Sequence, residues 1–486
     1  MTNLRNIWYT RCCSFHCCDP GFGVGCDFGL CESAEYFTAF KPGQQFWRAT
    51  YLKGQNDMDQ NANDGKRRAA ERSHHSVPVR LFLAMCICGV AATIGVSPCG
   101  GEDMPYTDSP VIPDAQTGSL YPFLSATAAR SPLELSFLRD PFKNVETWKR
   151  KARTKVLSLL HYSPPRCAPR AEVVERVDCG EYVRERLYFN TTPDIRVPAY
   201  LLLPKGEKKR RPAIVALHDH GAFFPWGKEK VIATNNEHPA LTEFKRTAYS
   251  GRSYGSELAK RGYVVIAIDM FYWGERRMQL ASDPPTWRDP TKMSLEDVAQ
   301  FNRRSSASAP LMATGLFEAG VTWAGVMFMD DIRTVDYLVT RPEVDPNRIG
   351  CCGLSVGGFR SAHLAGLDPH IKAAVVVGWM STYGSMLQNK LTSIGFMKVI
   401  PGLYQYMDLP DVVSMTVPGG LMIINGTQDG LFPLDGVYAS FDKIAAVYRK
   451  AGVPERFQGV TYDGPHEFNA EMQEKAFTWL DRWLKP

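Results

Sequence analysis

The chain has 486 residues, 44% of them hydrophobic and 22% charged, with a formal net charge of +5. Those values suit a globular protein with room for one large domain or two. So small a charge over this length, without a basic stripe, excludes a nucleic-acid-binding module, and no internal repeat is present.

Six of the 13 cysteines fall between Cys12 and Cys31, and three more between Cys86 and Cys99. The first group contains adjacent CC pairs and fits no C-x-x-C framework, so no metal or cofactor is expected. Residues 66–99 pair a basic flank with an apolar run from Leu81 to Val96 and then small residues. That is the grammar of a signal peptide, and the run is short for a spanning helix. Export to the periplasm or the medium is the expectation, with a cytoplasmic location as the alternative. Any contact with a membrane would come only through this segment, either as an anchor or through lipidation at Cys99, where Pro98 is unusual. A signal belongs at an N-terminus, so Met58 is the expected start. Residues 1–57 then form a non-structural extension and 58–99 the signal-like segment. Residues 100–140, rich in Pro, Ser, Thr and Gly, read as a linker, and the ordered domain spans 141–486.

From Pro141 the chain becomes periodic. Trp148, Ala152, Val156, Leu159 and Leu160 lie at helical spacing before Pro164. EYVRERLYFN and IRVPAYLLLPKG read as strands, and RPAIVALHDHG places a buried strand at Ala213–Leu217. The helix SGRSYGSELAKRG leads to the strand YVVIAIDM. After a long insertion come the helix DDIRTVDYLVTRPEV, the strand RIGCCGLS and the helix VGGFRSAHLAGL. AAVVVGWM, GGLMIING and RFQGVTYD then alternate with helical stretches, and EMQEKAFTWLDRWL closes the chain. Apolar strands separated by helices imply an α/β fold with a doubly wound, mostly parallel sheet. Cys351 and Cys352 fall on opposite faces of one strand and read as small core residues.

Ligands of such sheets bind beyond the carboxyl ends of the strands, so polar residues there are candidates. GLSVGG, residues 353–358, fits a nucleophile elbow, where small neighbours let the chain turn sharply and expose the serine oxygen. Serine needs a base, itself oriented by a carboxylate. Asp429 in INGTQDGLFP and His466 in YDGPHEF each follow a strand, in the order serine, acid, histidine expected of such an elbow. Ser355, Asp429 and His466 are therefore the catalytic candidates. Asp463 and Glu467 beside the histidine, and Asp435, are weaker choices for the acid. The backbone N–H groups of Val356 and Ala222, with Gly221 as fallback, are the candidate oxyanion donors. His218 and His220 have no third ligand at metal spacing and are expected to brace this loop. Asp269, Trp273, Gly274, Glu275 and Arg276 are expected to turn the chain at the edge of the pocket. His218, His220, Trp273 and Trp379 are the pocket candidates.

From about Phe142 to Pro486 the chain resembles the α/β-hydrolase superfamily, specifically its dienelactone-hydrolase-like and acetyl-xylan-esterase-like members. LHDHG, AIDMFYWGERR, EVDPNRIGCCGLSVGGFRS, INGTQDGLFP and YDGPHEFN carry that resemblance. It implies an α/β-hydrolase fold and a Ser355–His466–Asp429 triad that cleaves carboxylic esters of small molecules or carbohydrates. Dienelactone hydrolases proper use cysteine where this chain has Ser355. VDPNRIG also resembles the catalytic domain of prolyl oligopeptidases, so a serine peptidase is the alternative, although no repeated propeller blades precede it. A non-catalytic binding protein on the same fold is a third reading, weakened by the complete triad. Nothing in the sequence speaks to oligomeric state.

The insertion at about 276–328 exceeds an ordinary connection. It carries Trp287, Phe301, Phe317, Trp323 and Phe328. The expectation is a cap over Ser355 that offers aromatic faces to a sugar or aryl ester, with Arg303 and Arg304 available to an acidic substituent.

Overall fold

The structure, a computed structural model, describes residues 112–207 and 209–485. The Met58 start, the 1–57 extension, the 58–99 segment with Cys99, and the clustered cysteines all lie outside those residues.

Two helices, α1 (Tyr121–Ala129) and α2 (Val145–Leu159), precede the sheet. Asn144 caps α2 by accepting the Thr147 N–H, and the helical stripe of the sequence turns Trp148, Ala152 and Val156 inward. The strands β1 (Glu172–Asp178), β2 (Tyr182–Asn190), β3 (Arg196–Pro204) and β4 (Arg211–Leu217) follow. Helices α3 (Pro239–Tyr249) and α4 (Tyr254–Lys260) lead to β5 (Val264–Ile268). Next come α5 (Leu295–Glu318), α6 (Trp323–Thr340), β6 (Val344–Leu354), α7 (Val356–Leu367) and β7 (Ile371–Val377). Four short turns, α8 (Tyr383–Met386), α9 (Leu391–Ile394), α10 (Leu403–Tyr406) and α11 (Leu409–Ser414), separate β7 from β8 (Gly420–Gly426). The chain ends with α12 (Leu434–Lys450), β9 (Phe457–Tyr462) and α13 (Ala470–Leu484).

The nine strands form one sheet in the order β1-β2-β3-β5-β4-β6-β7-β8-β9. The pairs β1–β2, β2–β3 and β3–β5 are antiparallel, and the ladder from β5 through β9 is parallel. Two cores cover its faces. Val215, Cys351, Val376 and Ile423 belong to one, and Ile214, Cys352, Val375 and Met422 to the other. The period-two alternation of each strand sorts the two cysteines to opposite faces, as expected. Burial of each such Val or Ile contributes about 1.5–3 kcal/mol.

Three boundaries differ from the sequence reading. Within the stretch read as a linker, residues 112–140 pack on the domain. Phe137 is 1% exposed, Ser136 Oγ donates to Asp411 Oδ1 (2.6 Å), and Trp148 Nε1 donates to the Leu135 carbonyl (2.7 Å). A few apolar anchors outweigh the Pro/Ser/Thr composition there. The helix read from Asp330 begins at Trp323, so Trp323 and Phe328 belong to a sheet-covering helix and the insertion ends near Thr322. The edge strand β1 escaped notice because one face meets solvent and EVVERVD shows little buried pattern.

Candidate active site

Ser355 closes β6 and opens α7 with φ 60° and ψ −120°, a conformation that L-residues avoid. The strain is tolerated because both flanks are locked. The Ser355 N–H donates to the Val377 carbonyl (2.8 Å), and its own carbonyl accepts from the Phe359 N–H (2.9 Å). Gly357 is required by contact, since a Cβ there would lie 2.0 Å from the Leu217 carbonyl oxygen at the end of β4. α7 is clamped to α6 by a fully buried bidentate pair, Arg360 to Asp331 (2.9 and 2.5 Å). As the first residue of α7, Val356 has an N–H with no intrahelical acceptor, the kind of group that can meet an anion at a helix N-terminus.

Asp429 follows β8 and His466 follows β9, and the two meet. His466 Nδ1 donates to Asp429 Oδ2 at 2.6 Å, while Asp429 Oδ1 accepts the Leu431 N–H at 2.9 Å. With Nδ1 carrying the proton, Nε2 is left with a lone pair, and that buried nitrogen has no hydrogen-bond partner. The ring packs against Gly378, whose φ is +58° and whose missing Cβ would stand 2.8 Å from His466 Cε1. Ser355 is bonded to Val377, the preceding residue, so serine and imidazole flank one corner. No hydrogen bond joins Ser355 Oγ to Nε2 here, a gap common in unliganded sites. Of the weaker acids, Asp463 accepts from Thr427 Oγ1 (3.1 Å) and Gln428 Nε2 (2.8 Å), Glu467 accepts from Asn469, and Asp435 lies in the first turn of α12. Asp429 alone of the four reaches the imidazole.

The loop after β4 departs from expectation in one respect. The Ala222 N–H donates to His220 Nδ1 (2.8 Å), so in this conformation it is not free to face an oxyanion. The Gly221 N–H has no such partner among the described residues and becomes the better second donor. His218 and His220 do brace the loop. His218 Nδ1 donates to the Asp219 carbonyl (2.9 Å) and Nε2 accepts the Met270 N–H (3.0 Å), which ties the β4 and β5 loops together. Burial holds both imidazoles well below the usual histidine range, hence neutral. His218 and Trp273 are fully buried and do not line a pocket; Trp273 Nε1 donates to the His220 carbonyl (3.1 Å). The tryptophan is a brace because its ring stacks on Phe224 beneath the loop.

Behind that loop lies a buried ion network. Lys228 Nζ reaches Asp269 (2.8 Å), Glu275 (2.8 Å) and Glu229 (2.9 Å). Burial opposes its charge, but the three carboxylates outweigh it and hold Lys228 well above the ordinary lysine range. Arg276 bridges Asp330 (2.8 Å) and the Asp269 carbonyl (3.1 Å). The residues expected at the edge of the pocket thus set the turn from behind.

The insertion also builds differently. α5 starts at a capping box, Ser294 with Asp297, and rests on the β4 loop through Asn302 Oδ1, which accepts the Phe224 N–H (3.0 Å). Two of its aromatics are spent inside: Trp287 meets Phe301 edge to face at 5.5 Å, and Arg304 covers both rings while bonding Asp283 and the Met278 carbonyl. Arg303 pairs with Glu296 (3.2 Å). Trp287, Phe301 and Arg304 are therefore not available to a substrate as the sequence suggested, whereas Phe317 and Arg303 stay exposed.

The segment 383–414, whose Phe396–Lys398 turn packs on α5 and α6, was not singled out from sequence. It contributes Lys398, whose Nζ stands 5.6 Å from the ring centroid of Trp379. Trp379 is buried, edge-on to Phe359 and Phe432, and its Cβ backs the first turn of α7 at Gly358.

The model of the Abhydrolase family (Abhydrolase_7) matches residues 133–479. YtaP of Bacillus subtilis (strain 168), named as a hydrolase, is 25% identical over 333 residues, covering 68% of this chain and 98% of that protein. A Bacteroides fragilis NCTC 9343 structure named as an acetyl xylan esterase superposes with a TM-score of 0.54 at 18% identity, covering 72% of this chain and 85% of that one. The fold is therefore that of an α/β-hydrolase enzyme. Since the matched stretch takes in every strand of the sheet together with Ser355, Asp429 and His466, the chain belongs to the Abhydrolase family.

Proposed function

We propose that the protein is a serine hydrolase of carboxylic esters, with Ser355 as nucleophile, His466 as general base and Asp429 as the orienting carboxylate. One observation carries the reading. Asp429 fixes the His466 tautomer and leaves Nε2 unpartnered, and the ring packs on Gly378, next to the Val377 that accepts the N–H of a serine held in a strained elbow. Ser355 Oγ attacks the ester carbonyl as its proton passes to Nε2. The oxyanion is met by the N–H groups of Val356 and Gly221. Collapse breaks the C–O bond, the leaving alcohol takes the proton from Nε2, and the acyl group stays on Ser355. Water then gives its proton to Nε2 and its oxygen to the acyl carbon, and the acid departs as the proton returns to Oγ. Small acetyl esters, including those of carbohydrates, are the first substrates to try, given the name of the Bacteroides fragilis protein.

The test is hydrolysis of 4-nitrophenyl acetate and an acetylated xylo-oligosaccharide by the purified protein. Ser355→Ala is expected to lower kcat by about 10⁴ or more with the fold intact. A variant that kept more than a tenth of the activity would overturn the mechanism. Cleavage of a prolyl anilide at a comparable rate would favour the peptidase.

A further inference from the structure

The buried lysines of the domain have each found an anion, and the half-buried Lys398 differs from them. Lys228 has Asp269, Glu229 and Glu275, and Lys230 has Asp219 (3.4 Å). Lys245 has Glu237, and Lys149 has Glu146 (3.3 Å). Lys398 has none among the described residues. It sits in the turn Phe396–Lys398, which packs on α5 and α6. Its ammonium hangs over the face of Trp379 and close enough to His220 to disfavour protonation of that imidazole. Trp379 follows Gly378, the residue that seats the His466 ring, and His220 holds the oxyanion loop. The unpaired charge therefore stands beside Trp379, next to the seat of His466, and acts on the loop that His220 holds.

Most carboxylates on the packed helices are already engaged, Asp330 by Arg276 and Thr191, Asp331 by Arg360, Asp336 by Arg333, Glu296 by Arg303, and Asp297 by Ser294 and Trp287, which leaves Glu318 at the end of α5. Desolvation alone, with no counter-charge, brings Lys398 down to about 8. An ammonium kept partly dehydrated without an anion costs free energy that an incoming anion would return.

We propose that Lys398 is a specificity-determining residue that receives a carboxylate of the ester substrate, so that the enzyme prefers esters bearing a negative charge to their neutral isosteres. The proposal rests on the esterase reading above and sharpens it. The carboxylate lies over Trp379, on the acyl or the alcohol side of the scissile bond, and Nζ donates to it.

Two matched pairs test it. On the acyl side, mono-4-nitrophenyl succinate is compared with 4-nitrophenyl butanoate; on the alcohol side, 4-acetoxybenzoate with phenyl acetate. In one pair at least, the anionic-to-neutral ratio of kcat/KM is expected to fall on the order of ten- to a hundredfold in Lys398→Met, chiefly through KM, and to be largely kept in Lys398→Arg. Ratios unchanged by Lys398→Met in both pairs, with the variant folded by circular dichroism, would overturn the proposal. If Lys398→Met fails to fold, Lys398→Gln takes its place. Calorimetric binding of succinamate and 4-acetamidobenzoate to Ser355→Ala, with and without Lys398→Met, separates the two claims. Binding that depends on Lys398 in a protein that turns over no ester upholds the anion site and removes the esterase reading. Binding indifferent to Lys398 removes the anion site whatever the turnover.

Discussion

Replacing Gly378 by alanine tests whether the imidazole is held where the mechanism needs it. The added Cβ would stand 2.8 Å from His466 Cε1, 3.0 Å from Nδ1 and 3.2 Å from Leu354 Cδ1. Carbon–carbon contacts relax to about 3.5–4.0 Å, so the ring must move by roughly 0.7–1.2 Å. A shift of that size breaks the 2.6 Å bond to Asp429 and carries Nε2 away from Ser355. A misplacement of about 1 Å costs on the order of 10² in rate, or roughly 2.7 kcal/mol of barrier. The φ of +58° adds about 1–2 kcal/mol of backbone strain, partly offset by the less flexible unfolded chain. Gly452→Ala is the control, because its φ is +77° with nothing within 4 Å of the added methyl. Both variants are expected to lose about 1 kcal/mol in urea unfolding, and Gly378→Ala more if Leu354 resists. Only Gly378→Ala is expected to lose about a hundredfold in kcat on a small acetyl ester. A Gly378→Ala enzyme within threefold of the parent kcat would refute the placement of His466 against that corner.

Asp429→Asn is expected to lower kcat by about 10³–10⁴ while Asp463→Asn, Asp435→Asn and Glu467→Gln stay within about threefold, measured on the same ester. His363 is fully buried, stacked on Phe328, and burial pulls it down to about 4 despite its bond to the Phe359 carbonyl. It stays neutral in the fold while the unfolded chain takes up a proton below about 6.5. Its contribution is therefore intact above that pH and lost toward 4, at about 1.4 kcal/mol per pH unit. His363→Leu should flatten urea-derived stability against pH over that window by one proton's worth, and equal slopes would contradict the assignment. Phe137→Ala should cost about 3–5 kcal/mol in unfolding free energy, against nearly nothing for a linker residue.

What could be read from sequence was what period and order encode. The β-branched runs of β4 to β8 are buried on both faces, so their composition alone gives away a parallel sheet. The elbow is legible because Gly357 and Ser355 answer a local steric need, and Asp429 and His466 because topology delivers strand ends to one edge. Residues whose role depends on who claims them first are not legible. Arg304 and Lys398 look alike as isolated cations, yet Asp283 takes the first and no carboxylate among the described residues takes the second. Trp273 and Trp379 both follow strands, but only the second is left beside an open charge. Ala222 is a plausible oxyanion donor until His220 accepts its N–H.

The same distinction explains where the two walls of the site take their stiffness. The β4 and β5 loops are held from behind by Lys228, Asp269 and Arg276, whose charges are satisfied out of water, so Gly221 is presented on a fixed frame. A buried network of that kind adds little net stability over an apolar filling, but removing one member strands the others, which makes the loop geometry all-or-none. The 383–414 wall has no such network around Lys398. The Phe396–Lys398 turn that carries it is anchored by one buried side chain, Met397, and leaves Phe396 exposed. A rigid side for the chemistry and a lightly held, charged side for selection is the division expected if transition-state stabilisation demands fixed dipoles while recognition admits adjustment. On that reading, substitutions behind the β4 loop act on kcat and substitutions in the 383–414 wall act on KM.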